Sequence, residues 1–333
     1  MIFLIAVYFR LFFIFLKGKC VNVLIKGRVA NSYQIIGVFA AKEYLSDKYN
    51  ASVTLNVSYA QYWKKKNIPS ELESILDFIE QKKKYDRVYD IKVNHNYRIF
   101  SDSVITVDDG VGAYRKDFFK SFKTINKENK YNSKQTIDFT SCFKALAMYF
   151  VAQTASLYPK NHISIFKKSL FNYFEINKDN VNYFKKAISS LVDETGLEIQ
   201  LTSNSIVYLT QPASLIWSSD IKYKKHLESF LEILKYKYNG SKVYFKLHPM
   251  DDFDYSSYDV DIISSDIPAE FIFSSNYRNI KAVFGVNSTS MLTAKVIYNI
   301  DAYSVDSESI SELDFWARKA FLKYAPVLSM RSI

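Results

Sequence analysis

The sequence predicts an α/β protein of two domains, each built on a parallel sheet. Three observations carry this. Short apolar runs alternate with longer segments whose apolar residues recur every three or four positions, the alternation of strand and helix. The same alternation restarts near residue 200, after a stretch that reads as largely helical. The chain has 333 residues, more than one usual domain length, and 48% of them are hydrophobic, which suits buried cores and not a disordered chain.

Residues 21–25, VNVLI, read as a buried strand. Lys26-Gly27-Arg28 reads as the turn that follows, and residues 32–45 as a helix with an apolar stripe. Residues 51–57 form a second strand candidate. The helix expected over 71–84 places Leu72, Ile75, Leu76 and Ile79 on one face. Strands follow at 87–93 and 104–107, with a polar loop at 126–133. Helices are expected over 139–157, 163–174 and 181–192. The restart begins with a strand at 205–209 that ends at Thr210-Gln211-Pro212. A helix over 222–238 leads to a strand at 242–247. Another strand at 280–284 leads to a helix running from Ser288 through Tyr298. A strand at 302–305 and a helix at 310–322 close the chain. This organisation divides the sequence into 1–20, 21–200 and 201–333.

Composition narrows the function classes. The formal net charge is +10, which suits nucleic acid, an anionic membrane surface or an anionic substrate. The lysines are scattered and no nucleic-acid motif is visible, so nucleic acid is set aside. Two cysteines, Cys20 and Cys142, are too few for a disulfide framework or a zinc cluster, and the four histidines lack metal-ligand spacing. The cytoplasm is the simplest setting. Residues 1–20 are apolar but broken by Arg10 and followed by basic residues, short for a span of about 20 apolar residues. Two readings remain: a peripheral anchor on the inner face of the inner membrane, or residues outside the fold contributed by an upstream start.

Ligands in open α/β sheets sit beyond the carboxyl ends of strands. Three such ends carry unusual polar residues. The first is Asp108-Asp109-Gly110. Adjacent carboxylates repel, which raises one of them toward the range of a general base, and Gly110 permits a sharp turn. Asp and Gly are also ordinary at strand-end turns. The second is Lys246-Leu247-His248-Pro249, where Pro249 stops the strand, His248 can serve a phosphate or a leaving group, and Lys246 adds positive charge. The third is Asn287-Ser288-Thr289-Ser290 before a helix, an anion site or a plain N-cap. An acidic pair in one domain facing a histidine and a hydroxyl cluster in the other suits group transfer from a nucleotide-activated donor.

These three stretches resemble the acidic-acidic-Gly, His-Pro and Ser/Thr motifs of bacterial sialyltransferases, the lipooligosaccharide enzymes of glycosyltransferase family 52 and the capsular polysialyltransferases. The resemblance covers residues 21–325 in layout and about a dozen positions in motif identity. It implies a GT-B fold, two Rossmann-like domains facing across a cleft, and a metal-independent, inverting transfer of sialic acid from CMP-sialic acid to a glycan of the cell envelope. It implies Asp109 as the general base and Asp108 as its support. His248 acts on the leaving phosphate as acid or charge stabiliser, with Pro249 holding its loop. Ser288, Thr289 and Ser290 bind that phosphate, with Lys246, Asn287 and Gly110 around the donor, and Gln211 joins by position at the cleft edge. Thr289 interrupts the run of serines, which leaves open the hydroxyls that touch phosphate. A glycerophosphotransferase of teichoic-acid type, a transferase for another CMP-activated acid, and a non-catalytic glycan-binding protein on this fold remain alternatives. Acceptor, linkage and oligomeric state are not legible.

Overall fold

The strand at Ser205–Leu209 is buried at every position, as a central parallel strand must be. Its side chains alternate between two cores. Ile206 and Tyr208 enter an aromatic cluster with Phe230, Phe245 and Phe284, and Val207 and Leu209 enter a second, larger core. The computed structural model describes residues 21–59, 69–76, 85–93, 104–107, 162–166, 176–212, 219–306, 310–311 and 315–328. Among them the order is β1 (Val21–Val29), α1 (Ser32–Tyr49), β2 (Ala51–Tyr59), α2 (Ser70–Ser74), β3 (Arg87–Val93), β4 (Val104–Val107) and β5 (His162–Ile163). There follow α3 (Lys178–Thr195), β6 (Ser205–Leu209), α4 (Asp220–Lys237), β7 (Val243–Lys246) and β8 (Asp261–Ile263). The last elements are α5 (Ala269–Asn276), β9 (Ile280–Gly285), α6 (Thr289–Tyr298), β10 (Asp301–Ser304) and α7 (Phe315–Tyr324).

The strands form two five-stranded sheets in the orders β2-β1-β3-β4-β5 and β10-β9-β6-β7-β8. Every pairing within both is parallel. The second order is that of a Rossmann sheet, with its switch point between β6 and β9. The first reverses between β1 and β3. Helix α3 packs on α1 on one side and on α5 and α6 on the other, so one hydrophobic core runs from the first sheet to the second. Two Rossmann-like sheets facing across a cleft make this a GT-B fold.

Several sequence expectations change. Lys26-Gly27-Arg28 is not a turn: β1 continues to Val29, with Gly27 opposite Val57 and Arg28 opposite Ser58. Pairing along its whole length with β2 gives those backbone groups ladder partners, and Lys26 is met across the sheet by Asp90 at 3.5 Å. Ile163 does not open a helix; it is the parallel partner of Val107 at the sheet edge, and Phe166 bridges to Ile176. The helix at 32–45 runs on to Tyr49, where Asn50 ends it in the left-handed region at φ 48°. Both β8 and α5 went unrecognised in the sequence, since a three-residue strand and an eight-residue helix are too short to display a period. The loop at 126–133, the helix at 139–157 and residues 77–84 of the expected helix lie outside the described residues. So do residues 1–20. Among the described residues no helix is long and apolar enough to cross a membrane.

One close approach positions the cleft wall. Gly37 of α1 sits over β4, where a Cβ would stand 3.0 Å from the Val107 Cβ. The contact holds α1 down on the sheet and carries its N-terminus to the carboxyl edge. Gly37→Leu is therefore expected to lower the stability of the fold by about 3 kcal/mol through overpacking, read as a fall in the urea midpoint.

Candidate active site

A cleft of about 410 Å³ opens where the carboxyl edges of the two sheets meet. One wall is the start of α1, with Asn31, Ser32 and Tyr33. The Asn31 side chain accepts the Gln34 N–H at 2.9 Å, and Gln34 Oε1 in turn accepts the Ala30 N–H at 2.7 Å. This reciprocal cap fixes the angle at which the chain leaves β1. The other wall comes from the ends of β6 and β7 and the starts of α5 and α6.

The structure gathers most of the residues singled out in the sequence. Gln211, Lys246, His248, Pro249, Ser288, Thr289 and Ser290 all line this cleft. Asn287 is half-buried beside it and does not line it. Asp108, Asp109 and Gly110 lie outside the described residues. The strand that leads to them, β4, ends on the edge that bears the cleft: Lys26 aligns with Asp90 and Asp90 with Val104, which brings Val107 level with Val29.

The His248 loop is held at several points. The main-chain N–H of His248 donates to Thr210 Oγ1 at 2.9 Å, and the Thr210 N–H donates to the Lys246 carbonyl at 3.0 Å. The Met250 N–H donates to His248 Nδ1 at 3.1 Å. Below the loop the Tyr255 hydroxyl donates to Asp251 Oδ2 at 2.8 Å and pairs with the Tyr223 hydroxyl at 2.7 Å. The Asp251 N–H closes the turn on the His248 carbonyl at 2.9 Å. Burial, reinforced by the Lys246 charge, holds the imidazole down to a pKa of about 4.

Lys246 is 6% exposed. Its ammonium donates to the carbonyls of Leu247 at 2.5 Å and Ser265 at 3.4 Å. Burial lowers its pKa to about 8, against the opposing pull of Glu270 and Asp266. Glu270, in the first turn of α5, is also buried, and burial pushes its carboxyl up. It accepts the Ser290 hydroxyl on Oε1 at 2.7 Å. Ser290 therefore spends its proton on Glu270. Ser288 occupies the N-cap position of α6 and makes no side-chain cap bond, and Pro268 leaves α5 uncapped in the same way. Two helix starts without a side-chain cap, each end worth about half a positive charge, thus converge on the wall that holds Lys246. Such a wall can attract an anion.

Sequence reasoning missed Thr210, Met250, Glu270 and the α1 wall. Pro268-Ala269-Glu270 has the composition of any helix start, and Asn31-Ser32 that of any cap. Among the described residues no three His, Cys, Asp or Glu side chains gather as a metal site.

The family model described as alpha-2,8-polysialyltransferase matches residues 40–306, most of the chain and the whole wall that holds Lys246. The chain belongs to the alpha-2,8-polysialyltransferase family. It is a sialyltransferase-like glycosyltransferase. No curated relative matches it. Among solved structures it is similar to S. aureus MnaA in a UDP co-structure, with 9% identity and a TM-score of 0.44 over 85% of this chain and 79% of that one. It is also similar to the UDP-GlcNAc 2-epimerase of Methanocaldococcus jannaschii, with 9% identity and a TM-score of 0.40 over 91% of each chain. The wall teichoic acid polymerase TagF is similar at 11% identity and a TM-score of 0.38, over 84% of this chain and 69% of that one.

The Lys246 charge is present below about pH 8 and lost above it. Affinity for sulfate, an anion of constant charge, is therefore expected to fall as pH rises through about 8, with Lys246→Met abolishing that dependence in a calorimetric titration.

Proposed function

We propose that this polysialyltransferase-family enzyme transfers sialic acid from CMP-sialic acid to a glycan of the bacterial cell envelope, with inversion and without a catalytic metal. The observation that carries the reading is the convergence of His248, Lys246, Ser288 and two uncapped helix ends on one wall of the cleft. That wall lies at the switch point of the second sheet, where α/β sheets receive nucleotides. The Lys246 ammonium and the starts of α5 and α6 supply what a metal supplies in other phosphate-leaving reactions: compensation of the charge that grows on the departing phosphate.

In this reading the donor's phosphate rests against Ser288, Thr289 and the N–H groups of α6, with Lys246 behind it. His248 meets the oxygen that leaves. Asp109 removes the proton of the acceptor hydroxyl, and Asp108 orients it. Asn31, Ser32 and Tyr33 form the wall along which an acceptor glycan approaches.

A donor comparison tests the reading. CMP is expected to be released from CMP-sialic acid in the presence of sialylated or galactose-ended acceptors, and not from CDP-glycerol. His248→Ala should lower kcat by about 10²–10³, the usual effect of losing one donor at a charge-developing oxygen. Asp109→Ala should lower it by about 10²–10⁴. Both variants should keep the far-UV spectrum of the parent. Release of CMP from CDP-glycerol alone would replace sialyl transfer by glycerophosphate transfer, and no turnover of either donor would leave a binding protein.

A further inference from the structure

His248 is gripped through two different atoms, and the grip decides its protonation. Its main-chain N–H is held by Thr210 Oγ1, itself 2% exposed. Its ring nitrogen Nδ1 receives the Met250 N–H. A backbone amide donates only, so Nδ1 keeps its lone pair and the single ring proton resides on Nε2. A second proton would set two N–H groups against each other at 3.1 Å in a half-buried place. No group among the described residues accepts the Nε2–H, and His248 lines the cleft.

The charged groups around the ring point the same way. Lys246 at the end of β7 opposes a second positive charge. Asp251, in the same loop, is engaged by the Tyr255 hydroxyl and the Phe253 N–H. Glu270 from α5 is engaged by Ser290 from α6. The α1 wall brings Asn31, Ser32 and Tyr33, none of them charged at neutral pH.

We propose that Thr210 and the Met250 amide hold His248 as a neutral imidazole that donates Nε2–H to the leaving phosphate and keeps its proton throughout. His248 is the catalytic residue and Thr210 a positioning residue. The inference rests on the transfer reading above and sharpens it. In the step, the bond from the anomeric carbon to the phosphate oxygen breaks with its electron pair on that oxygen. The acceptor oxygen bonds to the anomeric carbon, and its proton passes to the Asp109 carboxylate and then to water. CMP departs as a dianion. The second pKa of a phosphate monoester is about 6, so the leaving oxygen needs no proton at neutral pH. A fixed hydrogen bond serves it better than an acid.

The test uses the full chain labelled with ¹⁵N in its four histidines, free and bound to CMP, with His248→Gln assigning the resonance. Expected is a pyridine-like shift at Nδ1 and a pyrrole-like shift at Nε2 of His248, unchanged from about pH 5 to pH 8 in both states. An imidazolium at His248 in the CMP complex within that interval overturns the proposal. Thr210→Val should weaken CMP binding about tenfold, with Thr210→Ser restoring it. Parent-like CMP affinity in Thr210→Val removes the positioning role. With CMP-sialic acid as donor, His248→Gln should retain a kcat about tenfold above that of His248→Ala, because an amide still donates. Equal rates for the two overturn neutral donation. Should CMP-sialic acid not be turned over while the neutral tautomer persists with CMP bound, the donor assignment fails alone and the tautomer stands.

Discussion

The ammonium of Lys246 lies against the carbonyls of Leu247 and Ser265, out of water, at the end of a strand paired on both sides. A buried cation is costly unless its surroundings compensate it. Here the compensation is distributed: two carbonyl dipoles touch it, and the Glu270 carboxylate acts on it through the field. Much of the cleft follows from that placement. Glu270 is held ionisable in a buried place because Lys246 and the Ser290 hydroxyl counter the cost of its burial. Burial keeps the imidazole of His248 from charging, and the Lys246 cation two residues before it reinforces the effect.

The wall is thus a charge-balanced assembly and not a row of independent ligands. Ser290 belongs to the internal balance through its bond to Glu270. Ser288 leaves its hydroxyl uncommitted to capping the start of α6. The motif that looks like three equivalent hydroxyls is not one: Ser290 is committed to Glu270, and Ser288 makes no cap bond. The same division separates Thr210, which holds the main chain, from His248, which presents a ring proton to the cleft.

The geometry of the sheets makes this assembly possible. The order β10-β9-β6-β7-β8 puts β6 between β7 and β9, so the loops after three adjacent strands share one edge. Thr210, His248 and Ser288 stand on those three loops and come from positions nearly 80 residues apart. On the opposite wall, the approach of Gly37 to Val107 seats α1 so that its capped start faces them.

Much of this was legible in the sequence. Alternating apolar periods identify parallel α/β sheets, because a strand buried on both faces and a helix packed on one leave different repeats. Lys246, His248 and Ser288 were identifiable as residues of chemical interest because strand ends in such folds carry ligands. The sequence did not reveal that Lys26-Gly27-Arg28 stays in a strand, since a glycine between charges looks like a turn until a neighbouring strand supplies its hydrogen bonds. Nor did it reveal Thr210 and Glu270, whose roles consist of contacts with residues 38 and 20 positions away. By itself the sequence determined which side chains were available and which elements would carry them. Only the tertiary structure decided the protonation of His248 and the partner of Ser290, because both depend on a neighbour that chain order does not place beside them.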